Sequence, residues 1–267
     1  MMKRLLVVTG LLVTFGLPPL AAQDSPVLDR VVRERELRVA TSGNQPPYNA
    51  VSKEGQLIGL DVDLVRLLAD AMNVNLTLMS MPFPDLLPAL AEGKVDMVVS
   101  GLSITPERAQ SVSFVGPYVL SGKSVLTDSA TLTRMKEPRD LDKPELTLVA
   151  LANSTSQGYI ERVAPRAKLV TTSDYDAAVA LILNEEADAL IADMPICILT
   201  VLRNPDKDLG TPSQPLNVEP IGIALPGNDQ KFHDLIETYV DAFEKTGLLD
   251  ELRKHWLEGG SWLNQIR

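Results

Sequence analysis

Cysteine is almost absent from this chain: Cys197 is the only one in 267 residues, so no intramolecular disulfide can form. A lone thiol of this kind usually packs as a small hydrophobe. Histidine is nearly as scarce, and His233 and His255 both fall in the C-terminal part of the chain. A nucleophilic cysteine needs a base beside it, and neither histidine is a neighbour in sequence. No Ser-His-Asp spacing, metal-ligand cluster or phosphate-cradling glycine loop is present. The sequence therefore points to no catalytic residue, no cofactor and no metal. Basic residues are in deficit as well, 25 Lys and Arg against 35 Asp and Glu, for a net charge of −10. Nucleic-acid affinity comes from clustered Lys and Arg, so a nucleic-acid partner is excluded.

Long apolar runs are missing after the first segment. Met1-Met2-Lys3-Arg4 is a short positive start, residues 5–17 are apolar apart from Thr and Gly, and Ala21-Ala22 precede the polar Gln23-Asp24. That layout is a secretory signal peptide over 1–22, cleaved after Ala22. A membrane span needs ~20 apolar residues, more than this run supplies. No cysteine lies near the cut, so a lipid anchor on a cysteine is not expected. Without Lys3 and Arg4 the mature chain is still more acidic.

From residue 27 onward, short β-rich runs alternate with helical patterns, which predicts an α/β architecture with mostly parallel strands. Strands are expected at 36–41, 76–79, 95–99, 146–151, 168–171 and 189–192, and helices at 61–72, 85–92, 155–163, 174–186, 229–246 and 248–257. One segment echoes another. Residues 88–101 can be laid over residues 180–193, each being a helix end, a polar turn, an Asp and an apolar strand. Two copies of one unit suggest two similar lobes. Ligands of open α/β sheets sit beyond the carboxyl ends of strands. The echo thus nominates Ser100, Gly101 and Asp193 for one cleft between the lobes.

The sharpest local pattern is Gly101-Leu102-Ser103-Ile104-Thr105-Pro106-Glu107-Arg108. Thr105 is a good N-cap, Pro106 suits the first helical position and Glu107 favours the positive end of the dipole. Arg108 then lies in a first turn, beside free backbone N–H groups, where a planar guanidinium suits capture of a carboxylate. Alone, the pattern is equally that of a surface arginine on a well-capped helix. Asp61 and Asp63 are read as capping acids at the start of their helix.

In these motifs the sequence resembles the family 3 periplasmic solute-binding proteins of amino-acid ABC transporters. The marks are Leu37-Arg38-Val39-Ala40, Ile58-Gly59-Leu60-Asp61-Val62-Asp63-Leu64 and Leu86-Leu87-Pro88-Ala89-Leu90. Gly93-Lys94-Val95-Asp96-Met97, Ser103-Ile104-Thr105-Pro106-Glu107-Arg108 and Phe114-Val115-Gly116-Pro117-Tyr118 complete them. The resemblance implies a type II two-lobed periplasmic-binding-protein fold with two hinge crossings. Lobe 1 would hold 27–121 and 220–267, and lobe 2 would hold 122–219. It also implies that Arg108 grips a ligand carboxylate with help from Ser103, Ser154 and Thr155. Ser100 and Gly101 would face the amino end, Asp193 would receive the ammonium, and Phe83 would pack on the ligand side chain. Gln45 stands where many members have an aromatic. The loop 42–45 carries no acid where binders of basic amino acids place one, so a neutral or weakly polar amino acid, or a close analogue, is expected. The implied partner is an ABC transporter permease, for a monomer in the periplasm.

Two rivals share the fold. Some relatives are cyclohexadienyl dehydratases, and Leu28-Asp29-Arg30 and His255-Trp256-Leu257-Glu258 resemble them. Such an enzyme is expected to carry an acid shortly after Asp193, and Met194-Pro195-Ile196-Cys197 has none. A ligand sensor docked on a receptor is the other, and it needs the same closing trap.

Overall fold

The computed structural model describes residues 24–266. The expected signal peptide lies outside the described residues. The strands, in chain order, are β1 (Glu36–Thr41), β2 (Asn44–Gln45), β3 (Asn49–Val51), β4 (Leu57–Ile58), β5 (Asn75–Ser80), β6 (Met97–Val98) and β7 (Val112–Ser121). Then follow β8 (Lys123–Asp128), β9 (Thr147–Leu151), β10 (Lys168–Thr172), β11 (Ala189–Asp193), β12 (Leu209–Gly210) and β13 (Glu219–Pro226). Two five-stranded sheets result, ordered β5-β1-β6-β13-β7 and β10-β9-β11-β8-β12, and β2, β3 and β4 form a small third sheet.

The two large sheets repeat one plan. In each, the second strand pairs in parallel with both neighbours and the fourth runs antiparallel to both of its own: β13 lies between β6 and β7, and β8 between β11 and β12. The sheets are therefore mixed, with four of the five strands in each running one way. The sequence echo falls on matching parts, for β6 and β11 both occupy the third position. Its aspartates do the same work. Asp96 accepts the Arg38 N–H of β1 at 2.8 Å, and Asp188 accepts the Thr147 N–H of β9 at 2.6 Å. Each carboxylate satisfies a backbone donor one residue before the ladder to the third strand begins, at Val39 in one sheet and Leu148 in the other.

The helix Leu60–Met72 forms where its apolar spacing predicts, burying Leu64, Val65 and Leu68 against the first sheet. The C-terminal helix Gln230–Thr246 buries Phe232, Ile236 and Val240 in the same core. Sequence spacing missed three helices, one of them the short Ser129–Arg134 after β8. Pro26–Glu34 leads into β1, and Met194–Arg203 starts directly after Asp193. A shared apolar cluster joins the sheets: Ala40, Leu86, Val98 and Leu102 from the first pack in it with Val149, Tyr175, Leu190 and Ile196 from the second.

The chain passes between the sheets at Gly122, from β7 to β8, and returns into β13. The two crossings touch. A Cβ on Gly122 would lie 2.0 Å from the Asn217 carbonyl oxygen, which only glycine avoids. Among the described residues no helix is long and apolar enough to cross a membrane.

Candidate functional site

Arg108 is placed as its local sequence predicts. Thr105 caps the short helix Pro106–Ala109, its hydroxyl accepting the Arg108 N–H at 3.2 Å, with Pro106 at the first position. The guanidinium then reaches across the cleft. Nη1 donates to the Ser103 carbonyl at 2.9 Å and Nη2 to the Asn153 carbonyl at 3.1 Å, one acceptor beside each sheet. Its Cζ stands 5.8 Å from the ring centroid of Phe83, itself buried at the start of a short turn. Burial pulls the Arg108 pKa down, opposed by the charges of Glu219 and Asp193. Its polar partners are neutral carbonyls, so a carboxylate offered there gains charge-assisted hydrogen bonds.

Ser103 and Thr155 face each other from the two sheets, their hydroxyls 3.3 Å apart. Both donate to one carboxylate oxygen, Oε2 of Glu219, at 2.6 and 2.8 Å. Lys123 Nζ lies 3.0 Å from the same oxygen and 2.6 Å from Oδ1 of Asp193. The lysine side chain is only 2% exposed. Burial would raise the Glu219 pKa, but the Lys123 charge and the hydrogen bonds from Ser103 and Asn217 hold it at about 2. Glu219 is thus ionised throughout the ordinary pH range.

Sequence reasoning missed Lys123 and Glu219. The signal was there: a lone lysine directly before the apolar run Ser124-Val125-Leu126, and an acid before Pro220. Asp193 does sit in the cleft, with the Lys123 ammonium on its Oδ1.

Three further residues expected at the site also hold partners within the protein. The Ser100 hydroxyl accepts the Ser42 N–H at 3.0 Å, and the Gly101 N–H donates to Asp61 Oδ2 at 2.9 Å. Ser154 caps the helix Thr155–Val163, accepting the Gln157 N–H and donating to the Leu151 carbonyl. All three shape the cleft through backbone and loop contacts. Gly101 has φ +54°, and a Cβ there would strike Gln45 Oε1 at 2.8 Å and the Tyr48 ring at 3.0 Å.

Asp61 is no capping acid. The helix Leu60–Met72 has Gly59 at its N-cap with no side-chain cap, and Asp61 is buried beneath the loops. It accepts from Asn49 Nδ2 at 2.9 Å, Gly101 N at 2.9 Å and the Tyr118 hydroxyl at 2.6 Å. Asp63 accepts Trp256 Nε1 at 2.9 Å and Arg66 Nη1 at 2.9 Å. Both acids fasten elements together, because donors from distant segments converge on them.

Gln45 Oε1 and Asn44 Oδ1 are buried without a hydrogen-bond partner, while the buried Tyr48 hydroxyl has the Ser121 hydroxyl beside it. Burial, with the Asp193 charge adding to it, pushes the hydroxyls of Tyr48 and Tyr175 well above the usual phenol range. Cys197 is buried, and burial raises its thiol to about 12.

The family described as bacterial extracellular solute-binding proteins, family 3, matches this chain over residues 37–259. The chain is 28% identical over 239 residues to the cyclohexadienyl dehydratase of Pseudomonas aeruginosa, covering 90% of this chain and 88% of that protein. It is 26% identical over 228 residues to the ABC transporter arginine-binding protein 1 of Escherichia coli, covering 83% and 90%. Among solved structures, a chain from Wolinella succinogenes complexed with lysine superposes with a TM-score of 0.82 at 34% identity, covering 86% of this chain and 99% of that one.

Proposed function

This chain belongs to the bacterial extracellular solute-binding proteins of family 3, and we propose that it traps a small amino acid or close analogue between its lobes and delivers it to an ABC transporter permease. The lobes are taken as 27–121 with 220–267, and 122–219. The observation that carries the reading is Arg108, whose guanidinium bridges the Ser103 and Asn153 carbonyls from opposite sides of the cleft. A carboxylate seated there contacts both lobes, and only a ligand that favours the closed state can drive closure. Ser103, Ser100, Gly101, Ser154, Thr155, Phe83, Gln45 and Asp193 complete the proposed site. Export through residues 1–22 places the protein, a monomer, in the periplasm.

The relatives named above for arginine, or solved with lysine, handle cationic side chains. Here the loop 42–45 has no acid, and the carboxylates of Asp193 and Glu219 are engaged with Lys123. This supports a ligand without a basic side chain.

The similarity to cyclohexadienyl dehydratase supports a second reading, an exported enzyme. Glu219 supplies a cleft carboxylate that the residues after Asp193 lack. It is held ionised at about 2, however, and a general acid must carry a proton near the working pH. Binding is therefore the stronger reading. A thermal-shift and calorimetric screen of common amino acids and their analogues, run beside a turnover assay on prephenate and arogenate, tests both. Saturable binding without turnover supports the receptor, and turnover lost in Arg108→Ala supports the enzyme.

A further inference from the structure

Lys123 and Asp193 lie directly opposite one another in the antiparallel ladder of β8 and β11, so their pairing is built into the register. The lysine backbone is pinned as well. Its N–H donates to Asn217 Oδ1 at 2.7 Å and its carbonyl accepts the Leu216 N–H at 2.7 Å. Lys123 Nζ contacts Asp193 Oδ1 at 2.6 Å and Glu219 Oε2 at 3.0 Å from a side chain 2% exposed. Glu219 is already well occupied. Oε2 takes Ser103, Thr155 and Lys123, while Oε1 takes Asn217 Nδ2 at 3.0 Å.

A ligand with an α-ammonium reaching Asp193 thus has to share that carboxylate with the resident Lys123 ammonium, which already holds Oδ1. Like charges brought together in a buried site repel strongly, because little water is present to screen them. A neutral oxygen at the same carbon has no such conflict. It can take a hydrogen bond from Tyr48, whose buried hydroxyl neighbours that of Ser121 and lies in the field of Asp193. With its carboxylate on Arg108, such a ligand leaves the Lys123 pairs intact.

We propose that Lys123 stands in for the ligand's ammonium, so that the cleft selects an α-oxo or α-hydroxy carboxylic acid over the amino acid of the same carbon skeleton. The proposal rests on the carboxylate trap at Arg108 set out above and narrows its ligand class.

The test is calorimetry on the full mature chain with matched triplets, each an amino acid, its α-oxo acid and its α-hydroxy acid, for leucine, phenylalanine and glutamate. In every triplet that binds, the oxo or hydroxy acid should be tighter than the amino acid by about tenfold or more. Lys123→Met, which frees Asp193, should move the preference toward the amino acid by at least about tenfold. The wild-type comparison stands even if the variant fails to fold. An amino acid that binds the wild type tighter than its oxo and hydroxy partners overturns the proposal and leaves the carboxylate trap standing. If no triplet member binds, or if binding is indifferent to Arg108→Ala, the trap itself fails and the proposal with it.

Discussion

The Tyr118 hydroxyl donates to Asp61 Oδ1 at 2.6 Å, tying β7 to the first turn of the helix Leu60–Met72. Both groups are fully buried beneath the loops that form one wall of the cleft. The carboxylate also holds Asn49 and the Gly101 N–H, so three segments of the first lobe meet on one acid.

That acid makes stability depend on pH. Burial raises the Asp61 pKa from 3.8 to about 6, against the hydrogen bonds that lower it. The folded protein then binds a proton that the unfolded chain has released, so stability falls as pH rises from about 4 to 6. The two-unit shift amounts to roughly 3 kcal/mol. Asp61→Asn should remove this slope. Urea midpoints measured from pH 4 to 7 check it, and parallel pH profiles for the two proteins would refute it.

Arg108→Ala should cost ligand affinity about 30-fold or more, since losing a desolvated charge-assisted partner costs ~2–5 kcal/mol. The short helix Pro106–Ala109 keeps its Thr105 cap, so the melting temperature should move little. Calorimetry and thermal unfolding together check this. An affinity loss below about threefold would place the carboxylate elsewhere.

Lys123→Met should destabilise the unliganded protein more than Asp193→Asn does. The first leaves two carboxylates facing each other in a buried site, whereas the second leaves Lys123 paired with Glu219. Removing one partner of a buried pair costs ~3–5 kcal/mol, and the retained Glu219 contact should hold Asp193→Asn below that range. Urea denaturation ranks the two, and the reverse order would contradict the geometry.

Ser103 and Thr155 reach Glu219 from different lobes, so that carboxylate fastens the cleft. The double variant Ser103→Ala with Thr155→Val should open the unliganded protein. Small-angle scattering should then show a larger radius of gyration than the wild type without ligand. Equal radii would mean the hydroxyls do not hold the lobes together.

Cys197 should be silent toward thiol reagents at pH 8 in the native state and react fully in denaturant. A thiol raised to about 12 carries almost no thiolate at that pH. Rapid labelling of the folded protein would argue that the helix Met194–Arg203 opens readily.

Local pattern determined much of this molecule. The helical spacing of Val62, Val65, Leu68 and Met72, the Thr105-Pro106 helix start and the repeated helix–turn–Asp–strand unit each act over a few residues, and each forms as its sequence implies. Arg108 was legible for the same reason, because cap and first turn fix its place. Only tertiary structure decided which charges meet. Lys123 and Asp193 are 70 residues apart, and Ser103 and Glu219 are 116 apart. Their pairing depends on the β8–β11 register and on two hinge strands packed side by side, which no periodicity encodes. Asp61 shows the same division. Its position at a helix start is local, but burial beneath Tyr118 and Gly101 turns a surface-looking acid into a structural post. Short-range spacing sets the elements, whereas the electrostatics of a buried site arise from groups that become neighbours only once water has been excluded between them.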